Sequence, residues 1–122
     1  MLGIGAAPLA GRLASAQAAW PNQSIRLVVP FAPGGTTDLV ARLIGAGLQD
    51  KLGVSVVVEN RAGAGATIGA ESVARAAPDG YTLIMSNIAS HGISPAVYGP
   101  KVRYDPVKDF AHIALVVSNP TV

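Results

Sequence analysis

The 122-residue chain contains no cysteine, which excludes disulfides, thiolate metal sites and thiol catalysis. Aromatic residues make up only 5% of it and charged residues only 13%. Nine Lys and Arg stand against seven Asp and Glu. The basic residues are scattered from Arg12 to Lys108, with Lys101 and Arg103 the densest group. With no basic stripe and no interleaved aromatics, nucleic acid is not an expected partner. The chain also lacks a G-K-[ST] phosphate loop, an H-E-x-x-H helix, a G-x-S-x-G elbow and a constellation of paired carboxylates. No catalytic residue, metal or cofactor is therefore expected, and the chain does not read as an enzyme.

What is present is a globular composition, half of it hydrophobic, long enough for one domain with a workable core. Residues 2–18 are small and apolar but too few to span a bilayer, and Arg12 interrupts them. They end in Ala16-Gln17-Ala18, an A-x-A cleavage pattern, which predicts a mature chain starting at Ala19 or Trp20 and an exported, periplasmic protein. No positively charged region precedes the apolar run, so residues 1–18 read as a signal-like segment shortened at its start, the start codon lying upstream. A frayed apolar helix is the competing reading.

From Ser24 the pattern is regular. Ile25 to Val29 is a β-branched run stopped by Pro30 and the Pro33-Gly34-Gly35 turn. Leu39, Val40, Leu43, Ile44, Gly47 and Leu48 then recur at helical spacing, predicting the apolar face of a helix. Thr36, Thr37 or Asp38 is expected to cap its start, and Gly53 to end it. The unit repeats as a strand over Val54 to Glu59, a glycine loop over Asn60 to Gly65, and a helix from about Thr67 to Ala77 with Glu71 and Arg75 paired. A third strand, Tyr81 to Met85, runs into the polar loop Ser86 to His91. A fourth is expected over Ile113 to Val117. Such alternation predicts an α/β fold, a parallel sheet with flanking helices, with Ile25–Val29 central between the second and third strands.

Right-handed crossovers place all three loops at the carboxyl ends of the strands, where such sheets bind ligands. Pro33, Gly34, Gly35, Thr36, Thr37 and Asp38 form the first loop. Asn60, Gly63, Ala64 and Gly65 come from the second, and Ser86, Asn87 and Ser90 from the third. Helix N-termini attract anions, glycine lets backbone approach a ligand, and the remaining groups are mostly uncharged hydrogen-bonders. The set predicts a site for a small anion. Tight turns and helix–sheet packing explain the same glycines equally well. Asp38 is read either as an orienter of loop amides, or contact for a ligand ammonium, or as a helix-terminus carboxylate. Arg61 is a contact for a ligand carboxylate or a solvated loop residue, and His91 a ligand contact, an acid/base, or a structural or exposed side chain. His112 receives no role. The run Gly63 to Gly69 departs from a dinucleotide fingerprint, because its third glycine falls one residue late and Ser86 and Asn87 stand where a ribose-binding acid is needed.

Four segments in order carry a resemblance: Pro21 with Ser24 through Asp38; Val57 through Gly65 followed by Ile68-Gly69; Ala76 through Leu83; and Tyr104 through Phe110. Together they resemble the Bug (TctC-like) receptors of tripartite tricarboxylate transporters. The resemblance implies the first lobe of a two-lobed periplasmic binding protein that captures small organic carboxylates and delivers them to membrane permease subunits, as a monomer when full length. It also implies that backbone amides, hydroxyls and waters of the first-lobe loops receive the carboxylate. On that basis residues 19–110 are expected to form the N-terminal part of the first lobe and 111–122 to begin the crossover between lobes. Family members are longer, so the chain reads as a fragment lacking the second lobe. Two rivals stay open: a nucleotide-binding βαβ fragment of an oxidoreductase, and a gene remnant without a ligand.

Overall fold

A computed structural model describes Gly3 and residues 19–118. The signal-like segment, Gly3 apart, lies outside the described residues. The elements are β1 (Ile25–Val29), α1 (Thr36–Leu52), β2 (Val56–Asn60), α2 (Thr67–Ala74), β3 (Thr82–Ile84) and α3 (Ser94–Tyr98). A 3-10 turn at Ala64–Ala66 leads into α2, a π-helical turn at Ala89–Ile93 leads into α3, and a 3-10 turn at Gly99–Lys101 follows it.

β1 is apolar at four of five positions, and Ile25, Leu27, Val28 and Val29 are all buried. A strand apolar on both faces belongs in the middle of a covered sheet, and β1 lies there. It pairs in parallel with β2 from Ile25↔Val56 to Val29↔Asn60, and with β3 from Arg26↔Thr82 to Val28↔Ile84. The order is β2-β1-β3, as the sequence predicts. Leu27 and Val29 pack with Ala41 of α1, and Phe31, Val56, Val58, Leu83 and Met85 close around them. Because the order reverses at β1, right-handed crossovers put α1 and α2 on opposite faces. α2 packs by its buried Gly69 and Ala70. It stops at Ala74, three residues before the expected end, and the Glu71–Arg75 ion pair forms at 2.5 Å.

The face of α1 differs from the expected one. Leu39 and Leu43 are 62% and 74% exposed, while the buried residues are Asp38, Ala41 and Gly45. The helix lies close to the sheet. A Cβ built on Gly45 would sit 3.4 Å from Val56 Cγ1 and 3.6 Å from Val58 Cγ2. Small residues fit nearest the sheet, so Ala41 and Gly45 turn inward with Asp38, while Val40, Ile44 and Leu48 of the expected face are half-buried and Leu39, Leu43 and Gly47 are exposed. Gly53 ends the helix as expected, with φ 71° and its N–H on Gln49 O at 2.9 Å.

The third loop is shorter than expected, because the chain turns helical by Ile88. The expected strand at Ile113–Val117 does not form. Those residues are irregular, with Ile113 and Leu115 80% and 84% exposed. A β-branched run becomes a strand only when a neighbour accepts its backbone hydrogen bonds, and no described strand pairs with it.

Candidate functional site: the carboxyl edge of the sheet

The first loop leaves β1 through Pro30, which is fully buried. Gly34 turns the chain at φ +88°, a conformation open to glycine at little cost. Gly35 then occupies the N-cap of α1 in an extended conformation, with no side chain capping the helix. The expected caps Thr36, Thr37 and Asp38 instead form the first helical turn. The initial N–H groups of α1 therefore face the edge without a side-chain oxygen of their own, beside the positive end of the helix dipole.

Asp38 is the organising residue. Its side chain is 3% exposed. Gly34 N donates to Oδ2 at 2.9 Å, Arg42 Nε donates to the same oxygen at 3.0 Å, and Asn60 Nδ2 donates to Oδ1 at 2.9 Å. Asn60 Nδ2 also donates to Phe31 O at 3.1 Å, and Arg42 Nη2 donates to Asn60 Oδ1 at 3.2 Å. The Arg42 hydrogen bond, then those from Gly34 and Asn60, lower the Asp38 pKa to about 2 against the opposing effect of burial. Of the sequence readings of Asp38, the geometry matches the orienter of loop amides. The carboxylate fastens the first loop to the second.

The second loop runs through four consecutive positive φ angles, Gly63 131°, Ala64 47°, Gly65 64° and Ala66 72°. Two of these belong to alanine, where left-handed backbone costs about 1–2 kcal/mol per residue. The surroundings hold it there. Ser94 Oγ donates to Gly65 O at 2.6 Å, Ala66 N donates to Gly63 O at 3.0 Å, and Thr67 Oγ1 donates to Ala64 O at 2.8 Å. A groove of about 250 Å³ lies beside this loop, lined by Ala64, Thr67, Tyr98, Lys101 and Val102. Another, of about 280 Å³, lies between α1 and β2 around Arg42 and Gln49. Arg61 turns its Nε to Glu59 at 2.5 Å, and Glu59 also pairs with Arg26 at 3.3 Å.

In the third loop two candidate side chains are occupied by the fold. Asn87 Oδ1 accepts from Ala89 N at 2.9 Å, capping the helical turn that follows. Ser90 is fully buried, and its Oγ donates to Asn87 O at 3.0 Å with His91 Nδ1 2.9 Å away. Tyr104 OH donates to Ser90 O in the same buried spot. The His91 ring packs 4.6 Å from Phe110 and 6.1 Å from His112. Burial pushes the His91 pKa down, and the His112 charge adds to the effect. His91 is thereby a packed aromatic wedge. The segment Tyr104–Phe110 works with it: Asp105 Oδ1 accepts from Val107 N and Lys108 N, and Tyr104 and Phe110 meet edge to face at 5.8 Å. Among the described residues, the side chains of Thr36, Thr37 and Ser86 make no hydrogen bond.

The three loops share one edge. Asn60 joins the second to the first, and Ser94 joins the second to the helix that follows the third. In a sheet of order 2-1-3 the topological switch point lies between β1 and β3, flanked by the first and third loops. Sequence reasoning missed Arg42, although its i, i+4 spacing from Asp38 was the available signal, and it missed Lys101.

The parallel sheet with flanking helices has the architecture of solved two-lobed periplasmic binding proteins, over part of their length. Residues 40–122 match the model of the tripartite tricarboxylate transporter family receptor, and the chain belongs to that family. The family is made up of substrate-binding receptors, not enzymes. Protein BugT of Bordetella pertussis is 41% identical over 103 residues, 84% of this chain and 32% of that protein. MatC of Rhodopseudomonas palustris, solved with bound malate, is 48% identical with a TM-score of 0.69, covering 75% of this chain and 31% of that one. A second R. palustris protein, solved with adipate, is 50% identical with a TM-score of 0.53, over 54% of this chain and 22% of that one. The chain spans about a third of the length of the curated relatives it matches.

Proposed function

We propose that the protein is a periplasmic solute-binding receptor that captures small organic carboxylates for the permease subunits of a tripartite tricarboxylate-type transporter. Residues 1–18 act as the export signal in this reading, and residues 19–110 supply part of the first lobe. The observation that carries it is the uncapped N-terminus of α1 behind Gly34 and Gly35, held by Asp38 and Asn60 at the switch point. Backbone N–H groups of Gly35–Asp38 and of Gly63–Gly65 donate to one carboxylate of the ligand, and Thr36, Thr37 and Ser86 add hydroxyls. Neutral donors suit a receptor that must release its cargo. Their hydrogen bonds to an anion are strong only when water is excluded, so a second lobe closing over the face would switch affinity on. The malate and adipate of two relatives support diacids as the ligand class.

Calorimetric titration of the protein as its gene encodes it, with malate, adipate and citrate against NAD and ATP, tests the reading. Uptake of a carboxylate and of neither nucleotide is expected. Binding of NAD or ATP alone would replace the receptor with the βαβ nucleotide-binding reading. Mass spectrometry of periplasmic extract should find a new N-terminus at Ala19 or Trp20.

A further inference from the structure

Arg42 belongs to no loop of the candidate site and its side chain is half exposed. Its guanidinium nevertheless spans two elements, with Nε on Asp38 Oδ2 at 3.0 Å and Nη2 on Asn60 Oδ1 at 3.2 Å. An exposed ion pair ordinarily contributes little. Here the partner carboxylate is buried, and it also fixes the Gly34 amide and the Asn60 amide. A buried carboxylate beside a loop that receives anions has two consequences. Left uncompensated, it repels an incoming carboxylate, and it carries a desolvation cost that favours its swinging out to water. Arg42 is the charged group in contact with it among the described residues, and it opposes both.

We propose that Arg42 is a positioning residue for the ligand face, holding the Gly34–Asp38 turn and Asn60 in receiving geometry through Asp38 without touching the ligand. The inference rests on the reading of these loops as the ligand face. It requires the planar fork of arginine, because a lysine ammonium is a single point and does not reach two acceptors on separate elements with fixed geometry.

The test uses the protein as its gene encodes it, at neutral pH, with malate and adipate as probes and the variants R42Q, R42K, D38N and R42Q/D38N. Loss of a charge-assisted hydrogen bond predicts that R42Q weakens probe binding roughly tenfold. R42K should recover only part of that loss. Because Arg42 acts through Asp38, the double variant should bind no more weakly than D38N alone. In the ligand-free protein, the Gly34 amide resonance should move and its hydrogen exchange accelerate in R42Q. Wild-type affinity in R42Q, or losses that multiply in the double variant, would overturn the proposal. Should the wild type take up neither probe, the ligand-face reading fails on its own. The Gly34 amide then decides the clamp: faster exchange in R42Q upholds Arg42 as the holder of the loop, and unchanged exchange refutes it.

Discussion

Replacing Gly69 by alanine sets two effects of opposite sign against each other. Gly69 lies in the first turn of α2, and a helical Gly→Ala change ordinarily stabilises by about 0.5–1 kcal/mol through backbone entropy and helix propensity. At this position the added Cβ would lie 2.7 Å from Pro30 Cβ, 2.8 Å from Arg61 O and 2.9 Å from Pro30 Cα. Two of those three atoms are backbone, so the clash is not relieved by turning a side chain. α2 must lift from the end of β1, and overpacking of this kind costs about 1–3 kcal/mol. The clash wins, and a net loss of about 1–2 kcal/mol is expected from the difference of the two effects. Gly47 is the control. It is exposed in the middle of α1, with no atom within 4 Å of its built Cβ, so Gly47→Ala should stabilise by about 0.5–1 kcal/mol. Urea denaturation of both variants and the wild type reads the two signs together. A Gly69→Ala protein as stable as the wild type would refute the close seating of α2 on Pro30, and with it the placement of the second loop.

Gly35 has a negative φ, and its built Cβ meets only Ala32 O at 3.9 Å. Gly35→Val should therefore cost the fold no more than about 1 kcal/mol as a poorer N-cap, while crowding a bound anion and weakening carboxylate affinity roughly tenfold or more; calorimetry and denaturation on one sample separate the two. The folded pKa of Asp38 lies at about 2, below the ordinary aspartate value of 3.8, so the unfolded chain binds the extra proton. Its stabilisation is fully present above about pH 4 and is lost as pH falls through about 2. Denaturation midpoints between pH 5 and pH 2 should show this slope, and D38N should flatten it. Tyr104→Phe leaves the buried Ser90 carbonyl without its hydroxyl donor and should cost about 1–3 kcal/mol; an unchanged unfolding midpoint would show that this contact is not formed.

The sheet was legible because its signals are local. A β-branched run such as Ile25–Val29, closed by Pro30 and followed by helical periodicity, identifies a strand and its neighbour without knowledge of the rest. Strand order was expected from the strand–helix alternation and its crossovers, with Ile25–Val29 central, and the sheet has that order. The face of α1 was not legible, because which row turns inward depends on how near the sheet lies, and Ala41 and Gly45 carry little hydrophobic signal. Ile113–Val117 misled for the converse reason, since strand propensity says nothing about whether a neighbour is present to pair. At the site, the glycine loops announced themselves through composition. The division of labour within them did not: Asp38, Asn87 and Ser90 look like ligand contacts in sequence and are engaged in holding backbone, whereas Arg42 looks like a surface helix residue and completes the clamp.

The claim that the carboxyl-edge loops receive the acid is tested most directly by a crystal structure of the gene-encoded protein with malate or adipate. One ligand carboxylate should lie within hydrogen-bonding distance of backbone N–H groups in Gly35–Asp38, with Asp38 still bound to Gly34, Arg42 and Asn60. A ligand seated elsewhere, or one held by Asp38 or Arg42 side chains directly, would contradict the account.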